Sequence, residues 1–471
     1  MQPTSSQRPL ANCQTTVMAR PELSATSPLT QRSVELLQTM IRNRCVNDGT
    51  PNSGHESRNA DALIGTLEGP GLSFETHAPA PGRGSVIARI EGSDPSAPSL
   101  CFMGHTDVVP VSADGWRHDP FGGEIIDGEI WGRGAVDMLN LTSSMAVAVR
   151  HLADAGFTPR GDLIFFGVAD EEADSGVGAV WFAEHERDAI YADYVITETG
   201  GLHLGPSDDR QLIVHVGEKG VDWRRLTVRG TPSHGSLPFG SDNALVKAAA
   251  VVQRLAEYQP AAKFHSLWEQ QVHGFGLDAE STAALLDPGS IEEFLRDFPF
   301  PGIASHFHAC THTTFSPNVI EPAPDQKTNT VPSTVSVEVD IRTLPGDTPK
   351  VVDAHLREAL GPLFEHVEIE STSQYRSTMS SADTPLWESI DRAVKRPFPD
   401  ARIAPHLMVG FTDSQIYREM GAVAYGAGLF SPTLDPIAFA ERFHGNDERI
   451  DIESMALSTQ FFIDVAKDFL G

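Results

Sequence analysis

Three continuous apolar runs, each followed closely by acidic or histidine side chains, constrain this chain more than any other feature of its sequence. The runs cover residues 100–103, 162–168 and 193–197, and they precede His105 and Asp107, Glu171 and Glu172, and Glu198, respectively. Apolar runs of this length are typical of strands buried on both faces, as in parallel sheets. Ligands bind beyond the carboxyl ends of such strands, so we expect these polar side chains to form one site.

The segments between the runs have helical patterns, which predicts an α/β sheet for the first part of the chain. From about residue 215 the strands alternate between apolar and polar residues instead, as in the stretch 334–344. We expect a hairpin from 211–216 and 221–228, and a loop-rich segment from about 260 to 329. This change predicts a separate α+β domain at about 215–372, inserted into a catalytic α/β domain formed by 30–214 and 373–471.

The charge of the chain excludes some classes of partner. Sixty-four acidic residues against 35 basic ones give a net charge of −29. A surface this acidic disfavours nucleic acid and anionic membranes as partners. No apolar run reaches the roughly 18 residues that a membrane span needs, so we expect neither nucleic acid nor membrane binding.

The cysteines and the N-terminus favour a cytoplasmic protein. The four cysteines lie far apart, at positions 13, 45, 101 and 310, and form no CxxC pair, which is typical of reduced thiols. The first 25 residues are polar and lack the apolar core of a signal peptide. We expect residues 1–29 to be a disordered arm, with translation from Met18 as an equal alternative for the first 17.

Five side chains are candidate metal ligands, and all offer nitrogen or carboxylate oxygen rather than sulfur. They are His105, Asp137, Glu172, Glu198 and His444. This donor set suits zinc, with manganese or cobalt possible, at a catalytic rather than a structural site. Five ligands that share one carboxylate are the number needed for two ions in a dinuclear hydrolytic centre. Two adjacent glutamates after a buried strand can also divide their roles, so that one binds metal and the other stays free as a base.

A second histidine-rich stretch, HFHACTH, contains His306, His308, Cys310 and His312. On a strand these alternating residues share one face. We expect an exposed strand lining the inserted domain, with a zinc site on that face as the minor alternative. The chain has no GxSxG, HExxH, P-loop or GxGxxG motif, which disfavours serine hydrolases, thermolysin-type proteases and nucleotide-dependent enzymes.

Nine motifs occur in an order that resembles a known family. They are GHTDVVP, GRGAVDM, DEE, TETG, TPSHGSLP, NTVP, DIRTLPG, GFTDS and FHGNDE. From about residue 30 to its end, the chain resembles the co-catalytic zinc metallopeptidases that include aminoacylase, glutamate carboxypeptidase, carnosinase and succinyl-diaminopimelate desuccinylase. The resemblance implies a zinc-exopeptidase-like catalytic domain with an inserted ferredoxin-like lid or dimerisation domain.

The resemblance also implies roles for individual residues. Asp137 bridges two metal ions, His105 and His444 each bind one of them, and Glu172 and Glu198 each complete one site. Glu171 is the general base, and Asp107 orients the ring of His105. His234 reaches a catalytic centre, which in many relatives belongs to the partner subunit, and stabilises the oxyanion there. The substrate is held by Asn329, by Arg342 through a carboxylate, and by the backbone at Gly428. The peptide bond between Asp137 and Met138 is expected to be cis.

The implied activity is hydrolysis, by metal-activated water, of an amide bond next to a free carboxylate in a dipeptide or N-acyl amino acid. The alternatives are an aminopeptidase-like di- or tripeptidase, a carbamate or ureido hydrolase, and a metal-binding relative without catalytic activity. A homodimer formed through the inserted domain is the expected assembly.

Overall fold

A computed structural model describes residues 23–205 and 210–471 of the chain. Most of the predicted N-terminal arm, residues 1–22, lies outside the described residues. The first helix begins at Pro28, where the side chain of Ser27 caps it by accepting a hydrogen bond from the backbone N–H of Thr30. Among the described residues, no helix is both long enough and apolar enough to cross a lipid bilayer.

Fifteen α-helices occur in the described residues. They are α1 Pro28–Arg42, α2 Ser57–Leu67, α3 Leu139–Asp154, α4 Ala179–His185, α5 Arg187–Ile190, α6 Ala244–Glu257, α7 Ser266–Gly274, α8 Ala279–Leu285, α9 Ile291–Arg296, α10 Pro301–Thr311, α11 Pro349–Leu360, α12 Pro385–Lys395, α13 Ser414–Glu419, α14 Pro436–Ala440 and α15 Ile452–Leu470.

Nineteen strands accompany these helices. They are β1 Ser73–His77, β2 Ser85–Ile90, β3 Leu100–His105, β4 Glu124–Ile126, β5 Glu129–Trp131, β6 Leu163–Val168, β7 Tyr194–Thr197, β8 His203–Leu204, β9 Gln211–Glu218, β10 Gly220–Arg229, β11 Ser233–His234, β12 Thr314–Pro322, β13 Thr330–Val331, β14 Thr334–Thr343, β15 Val367–Tyr375, β16 Thr378–Met379, β17 Arg402–Met408, β18 Val423–Gly426 and β19 Arg449–Asp451.

A mixed sheet of ten strands forms the centre of the first domain. Its main path runs β1-β2-β6-β3-β7-β18-β9-β16, with β8 and β17 also paired to β9. The three predicted apolar runs are the adjacent strands β6, β3 and β7, and β3 is parallel to both of its neighbours. Every residue of β3 and β6 is buried because helices cover both faces of the sheet. The predicted α/β class is confirmed.

The second sheet is antiparallel and has the order β12-β14-β10-β15. Helix α6 follows β10 and helix α11 follows β14, so the order of elements is βαββαβ, as in ferredoxin-like folds. Both helices bury apolar side chains in one core with the sheet, including Leu226, Val251, Val337 and Leu356. The predicted inserted α+β fold is confirmed, and its boundaries at about 215 and 372 stay a prediction.

Two predictions about this region are wrong. Strands β9 and β10 do not form a hairpin: β9 pairs within the ten-stranded sheet, whereas β10 pairs within the four-stranded sheet. The segment expected to be loop-rich contains four helices, α7 to α10, inserted between α6 and β12. These helices have a core of their own around Trp268 and Phe307. The prediction missed them because short helices contain too few apolar residues to show a helical period in the sequence.

The expected strand at HFHACTH is also wrong, because the stretch lies in helix α10 and at its C-terminal cap. On a helix, side chains four positions apart share a face. His306 therefore lies beside Cys310, with its Nε2 3.6 Å from the cysteine Sγ. His308 lies beside His312, and their rings stack with centroids 3.9 Å apart. The helix separates the four side chains into two pairs.

Candidate metal centre

The carboxyl ends of three adjacent strands bring the predicted polar side chains to one edge of the large sheet. His105 is the last residue of β3 and lies opposite Val168, the last residue of β6. Glu171 and Glu172 follow β6 in a short 3₁₀ turn, and Glu198 directly follows β7. Asp170 adopts a left-handed backbone conformation with φ of 73°, which turns the chain into the 3₁₀ segment.

Two groups of metal-ligating side chains meet at this edge and share Asp137. One contains His105, Asp137 and Glu198, and the other contains Asp137, Glu172 and His444. The Oδ1 atom of Asp137 lies 3.2 Å from His105 Nε2, and its Oδ2 atom lies 3.1 Å from His444 Nε2. The two carboxylate oxygens of Asp137 thus face different groups. All five side chains expected as ligands come together here.

The remaining contacts within each group are also short. His444 Nε2 lies 3.3 Å from Glu172 Oε2, and His105 Nε2 lies 3.9 Å from Glu198 Oε2. Ligand atoms of one tetrahedral ion are separated by roughly 3–4 Å, given metal–ligand bonds of about 2.0–2.2 Å. The spacing of both groups therefore suits a small divalent ion.

The electrostatics of the site also fit bound cations. Burial raises the pKa of Glu171 and of Glu198, and neighbouring carboxylates, Glu198 and Asp137 respectively, raise them further. Hydrogen bonds to Asp137 and Glu172 raise the pKa of His444 to about 10. Among the described residues, the buried Oε1 atom of Glu172 has no hydrogen-bond partner. Buried carboxylates this close together require nearby positive charge, which two divalent ions would supply.

Glu171 lies beside both groups and belongs to neither. Its side chain is only 10 % exposed, and its Oε2 atom is 4.0 Å from His105 Nε2. The peptide bond between Asp137 and Met138, which follows the shared ligand, is cis, so that prediction is confirmed.

Asp107 contacts the ring of His105 from the side opposite Asp137. The His105 Nδ1 atom is 3.1 Å from the Asp107 backbone oxygen and 3.6 Å from its Oδ1 atom. The other carboxylate oxygen of Asp107 accepts hydrogen bonds from the Asn47 side chain at 2.9 Å and the Glu172 backbone N–H at 3.1 Å. Asp107 therefore holds the ring so that Nε2 faces Asp137.

Buried polar residues that the sequence did not single out support this arrangement. Asn47 also donates to Asp170, and the guanidinium of Arg83 donates to both Asp170 and Glu56. Behind Asp137, the buried carboxylate of Glu448 accepts hydrogen bonds from the backbone N–H groups of Val136 and Asp137 and from Arg133. Asp170, Arg133 and Glu448 lie within motifs quoted above, whereas Asn47, Glu56 and Arg83 lie outside every motif.

The other expected site residues lie in or beside different elements. His234 is exposed on a two-stranded ribbon, and its Nδ1 atom accepts a hydrogen bond from Ser236. Asn329 borders the same ribbon, where its carbonyl accepts from the backbone N–H of Gly235 at 2.7 Å. Among residues 23–205 and 210–471, no hydrogen bond or ion pair joins His234, Asn329, Arg342 or Gly428 to the five ligands.

Arg342 and Gly428 have specific surroundings. The guanidinium of Arg342 donates to Asp340 from Nε at 2.8 Å and from Nη2 at 3.3 Å, whereas its buried Nη1 has no hydrogen-bond partner in the part of the chain that the structure describes. Gly428 packs against Gly201, three residues beyond Glu198, so closely that a Cβ on Gly201 would lie 2.7 Å from the Gly428 carbonyl carbon.

The model of peptidase family M20/M25/M40 matches residues 101–468. The chain belongs to this family. It is 28 % identical to aminoacylase-1 of Sus scrofa over 81 % of this chain and 82 % of the relative. It is 26 % identical to the N-fatty-acyl-amino acid synthase/hydrolase of Xenopus tropicalis over 82 % of this chain and 75 % of that protein.

Solved structures share the fold of this family member. The M20 family metallo-carboxypeptidase Sso-CP2 of Sulfolobus solfataricus superimposes with a TM-score of 0.69 over 94 % of this chain and 99 % of that chain, at 17 % identity. The predicted family and the catalytic domain with an inserted second domain are thus confirmed.

Replacing Arg83 tests the support behind the metal centre. We expect Arg83→Met to destabilise the protein by about 3–5 kcal/mol, because it leaves the buried carboxylates of Glu56 and Asp170 without their cation. Urea unfolding at a fixed zinc concentration measures the change. The matched control is Arg229→Met, which breaks an exposed pair with Glu368 and is expected to change the stability far less. Equal losses in the two variants would contradict a supporting role for Arg83.

Proposed function

We propose that this protein is a metal-dependent hydrolase of an amide bond next to a free carboxylate, in a dipeptide or N-acyl amino acid. The observation that carries the proposal is the position of Asp137, whose two carboxylate oxygens face separate ligand groups. The buried carboxylate of Glu171 lies beside these groups and belongs to neither. One relative is named an N-fatty-acyl-amino acid synthase/hydrolase and another an aminoacylase, and these names support the substrate class.

The proposed centre holds two divalent ions, zinc first and manganese or cobalt as alternatives. His105 and Glu198 would hold one ion, His444 and Glu172 would hold the other, and Asp137 would contribute to both sites. Ions bound there would polarise the substrate carbonyl and lower the pKa of a bound water towards about 7.

The side chains around the ions perform the proton transfers. Glu171 accepts a proton from the attacking water and returns it to the nitrogen of the leaving amine, as a general base and then a general acid. Burial beside other carboxylates raises the proton affinity of Glu171, and bound cations lower it again, which allows both transfers. Asp107 keeps His105 in the orientation that binds metal. His234 donates to the oxyanion of the tetrahedral intermediate, in this chain or in a partner subunit.

Asn329, Arg342 and the Gly428 backbone are the proposed substrate contacts. Arginine recognises carboxylates through parallel hydrogen bonds. The unpartnered, buried Nη1 of Arg342 is a donor with no acceptor in the described residues, and a substrate carboxylate would supply one.

The inserted domain, at about 215–372, is the proposed lid and homodimer interface. Exposed apolar side chains occur on helix α6, on the loop before it, and on the edge strand β12 that α6 packs against. They are Leu237, Phe239, Leu245, Val246, Val319 and Ile320. An exposed apolar face of this kind marks a protein–protein contact, and a second copy of the chain would cover it. A cytoplasmic location stays a prediction.

Glu171→Gln tests the proton-transfer step. The amide cannot accept a proton, so we expect kcat on an N-acyl amino acid to fall by about 10²–10⁴-fold. The content of bound zinc, measured by mass spectrometry, is expected to stay the same because Glu171 lies outside both ligand groups. Glu184→Gln, at an exposed position on α4, is the control and retains full activity. Activity of the Glu171 variant within tenfold of wild type would show that the base is another group.

Activity must also depend on the ions. Dialysis against a chelator is expected to abolish hydrolysis, and added divalent zinc, manganese or cobalt to restore it. A purified protein that hydrolyses none of the N-acyl amino acids, dipeptides, tripeptides, carbamates and ureido acids in a panel would instead be a relative without catalysis.

Arg342→Met tests carboxylate recognition. We expect kcat/KM for an N-acyl amino acid to fall about 10- to 100-fold, given the roughly 1.5–3 kcal/mol of a hydrogen bond to a charged group. The methyl ester of the same substrate is expected to be hydrolysed at an unchanged rate, because it offers no anion. Arg225→Met removes an arginine that pairs with Glu338 on the same sheet, and it serves as the control. Equal losses on acid and ester would rule out recognition of the carboxylate by Arg342.

Val246→Glu tests the proposed dimer face. Val246 is 66 % exposed, so a glutamate there leaves the single chain folded but places a charge in the interface. Light scattering coupled to gel filtration is expected to show twice the chain mass for wild type and the mass of one chain for the variant. The control is Ile125→Glu, at an exposed aliphatic side chain on β4, which retains the dimer. A wild-type protein with the mass of a single chain would contradict the proposal.

A further inference from the structure

A third group of metal-ligating side chains lies in the four-helix segment of the inserted domain. His308 and His312 occupy one face at the end of helix α10, one turn apart. Glu292, in the first turn of helix α9, reaches the same place. The three ligand atoms all lie within 4.8 Å of one another. None of these residues belongs to the catalytic centre.

The contacts between these three side chains are close. His312 Nε2 is 2.8 Å from Glu292 Oε1, and His308 Nε2 is 3.6 Å from the same oxygen. The His312 side chain is completely buried, whereas His308 is 29 % exposed. The separations bracket those expected between ligands of a single zinc ion.

The hydrogen bonds of His312 show which nitrogen is free to bind metal. Its Nδ1 atom lies 2.9 Å from the backbone oxygen of His308, which only accepts, so Nδ1 carries the proton of the neutral ring. The lone pair is then on Nε2, next to the carboxylate of Glu292. A backbone carbonyl that fixes the tautomer in this way is typical of metal-binding histidines.

Neither atom of the shortest contact is satisfied within the described protein. His312 Nε2 and Glu292 Oε1 are both buried, and both lack a hydrogen-bond partner despite their 2.8 Å separation. A lone pair and a carboxylate oxygen repel each other at this distance unless a proton or a metal cation lies between them. The nearby ammonium of Lys219 is not this cation, because it donates its hydrogen bonds to the backbone oxygens of Ala309 and His312 and to Thr314.

We propose that Glu292, His308 and His312 bind a divalent transition-metal ion, most suitably Zn²⁺, in addition to the ions of the catalytic centre. Two imidazoles and one carboxylate form a donor set that zinc favours, and they leave a fourth position for water or another ligand. The two rings are nearly parallel, with 4° between their planes. Both lone pairs reach one ion only if His308 rotates, and its partial exposure leaves room for that rotation.

Such an ion would cross-link helix α9 to the C-terminal end of helix α10. The segment from α7 to α10 has a small core of its own, and short helices gain stability from a metal that joins them. The site would therefore act on the inserted domain, independently of the proton transfers proposed for Glu171.

The number of zinc ions per chain tests the proposal. Full-length protein is dialysed against buffered micromolar zinc, and the bound metal is counted by inductively coupled plasma mass spectrometry. We expect His308→Ala and Glu292→Gln each to lose one zinc per chain relative to wild type, whatever number the catalytic centre retains. Loss of a ligand is expected to weaken zinc binding by more than the roughly 10–100-fold that loss of an outer-shell partner costs.

The matched control is His273→Ala, which removes an exposed histidine from helix α7 in the same segment and is expected to keep the wild-type count. Glu292→Gln preserves side-chain size at a partly exposed position, so it remains informative if His308→Ala does not fold. An unchanged zinc count in Glu292→Gln, or an equal loss in His273→Ala, would overturn the proposal.

Discussion

The mutual repulsion of buried carboxylates at the end of one sheet is the interaction on which the candidate centre depends. Asp137, Glu171, Glu172 and Glu198 lie close together, and only two histidines lie between them. In a medium of low polarity, these charges are tolerated only when paired or bound to cations. The parallel strands place them there, because their carboxyl ends meet at one edge. The geometry of the centre thus follows from the topology of the sheet, and its negative charge favours the binding of metal cations.

A shell of buried hydrogen bonds holds the ligands in this unfavourable arrangement. Asp107 and Asn47 fix His105 from one side, and Glu448 fixes the backbone of Asp137 from the other. Arg83 pairs with the buried carboxylates of Glu56 and Asp170. The inserted domain contributes no residue to this shell among the described residues, although its helix α7 packs against β17 of the large sheet, where Gln271 lies 3.1 Å from His406.

Much of the fold was predictable because its apolar patterns are strong. The runs that became β3, β6 and β7 are long enough to indicate buried strands, and the helices between them indicate parallel pairing. Prediction failed where local pattern is ambiguous. The stretch HFHACTH alternates as a strand would, yet it is helical because Phe307 and Cys310 pack into the core around Trp268. Similarly, nothing local shows that β9 and β10, one residue apart, enter different sheets.

The sequence by itself determined the five candidate ligands and a candidate base, from the residue types at three strand ends and from the motifs that contain Asp137 and His444. A sequence carries such information because donor chemistry belongs to individual side chains. Only the tertiary structure decided that Arg83 and Glu56 support these ligands, and that Glu292 meets His308 and His312. These arrangements join residues on separate elements, and a distance between elements is set by packing, which no local pattern records.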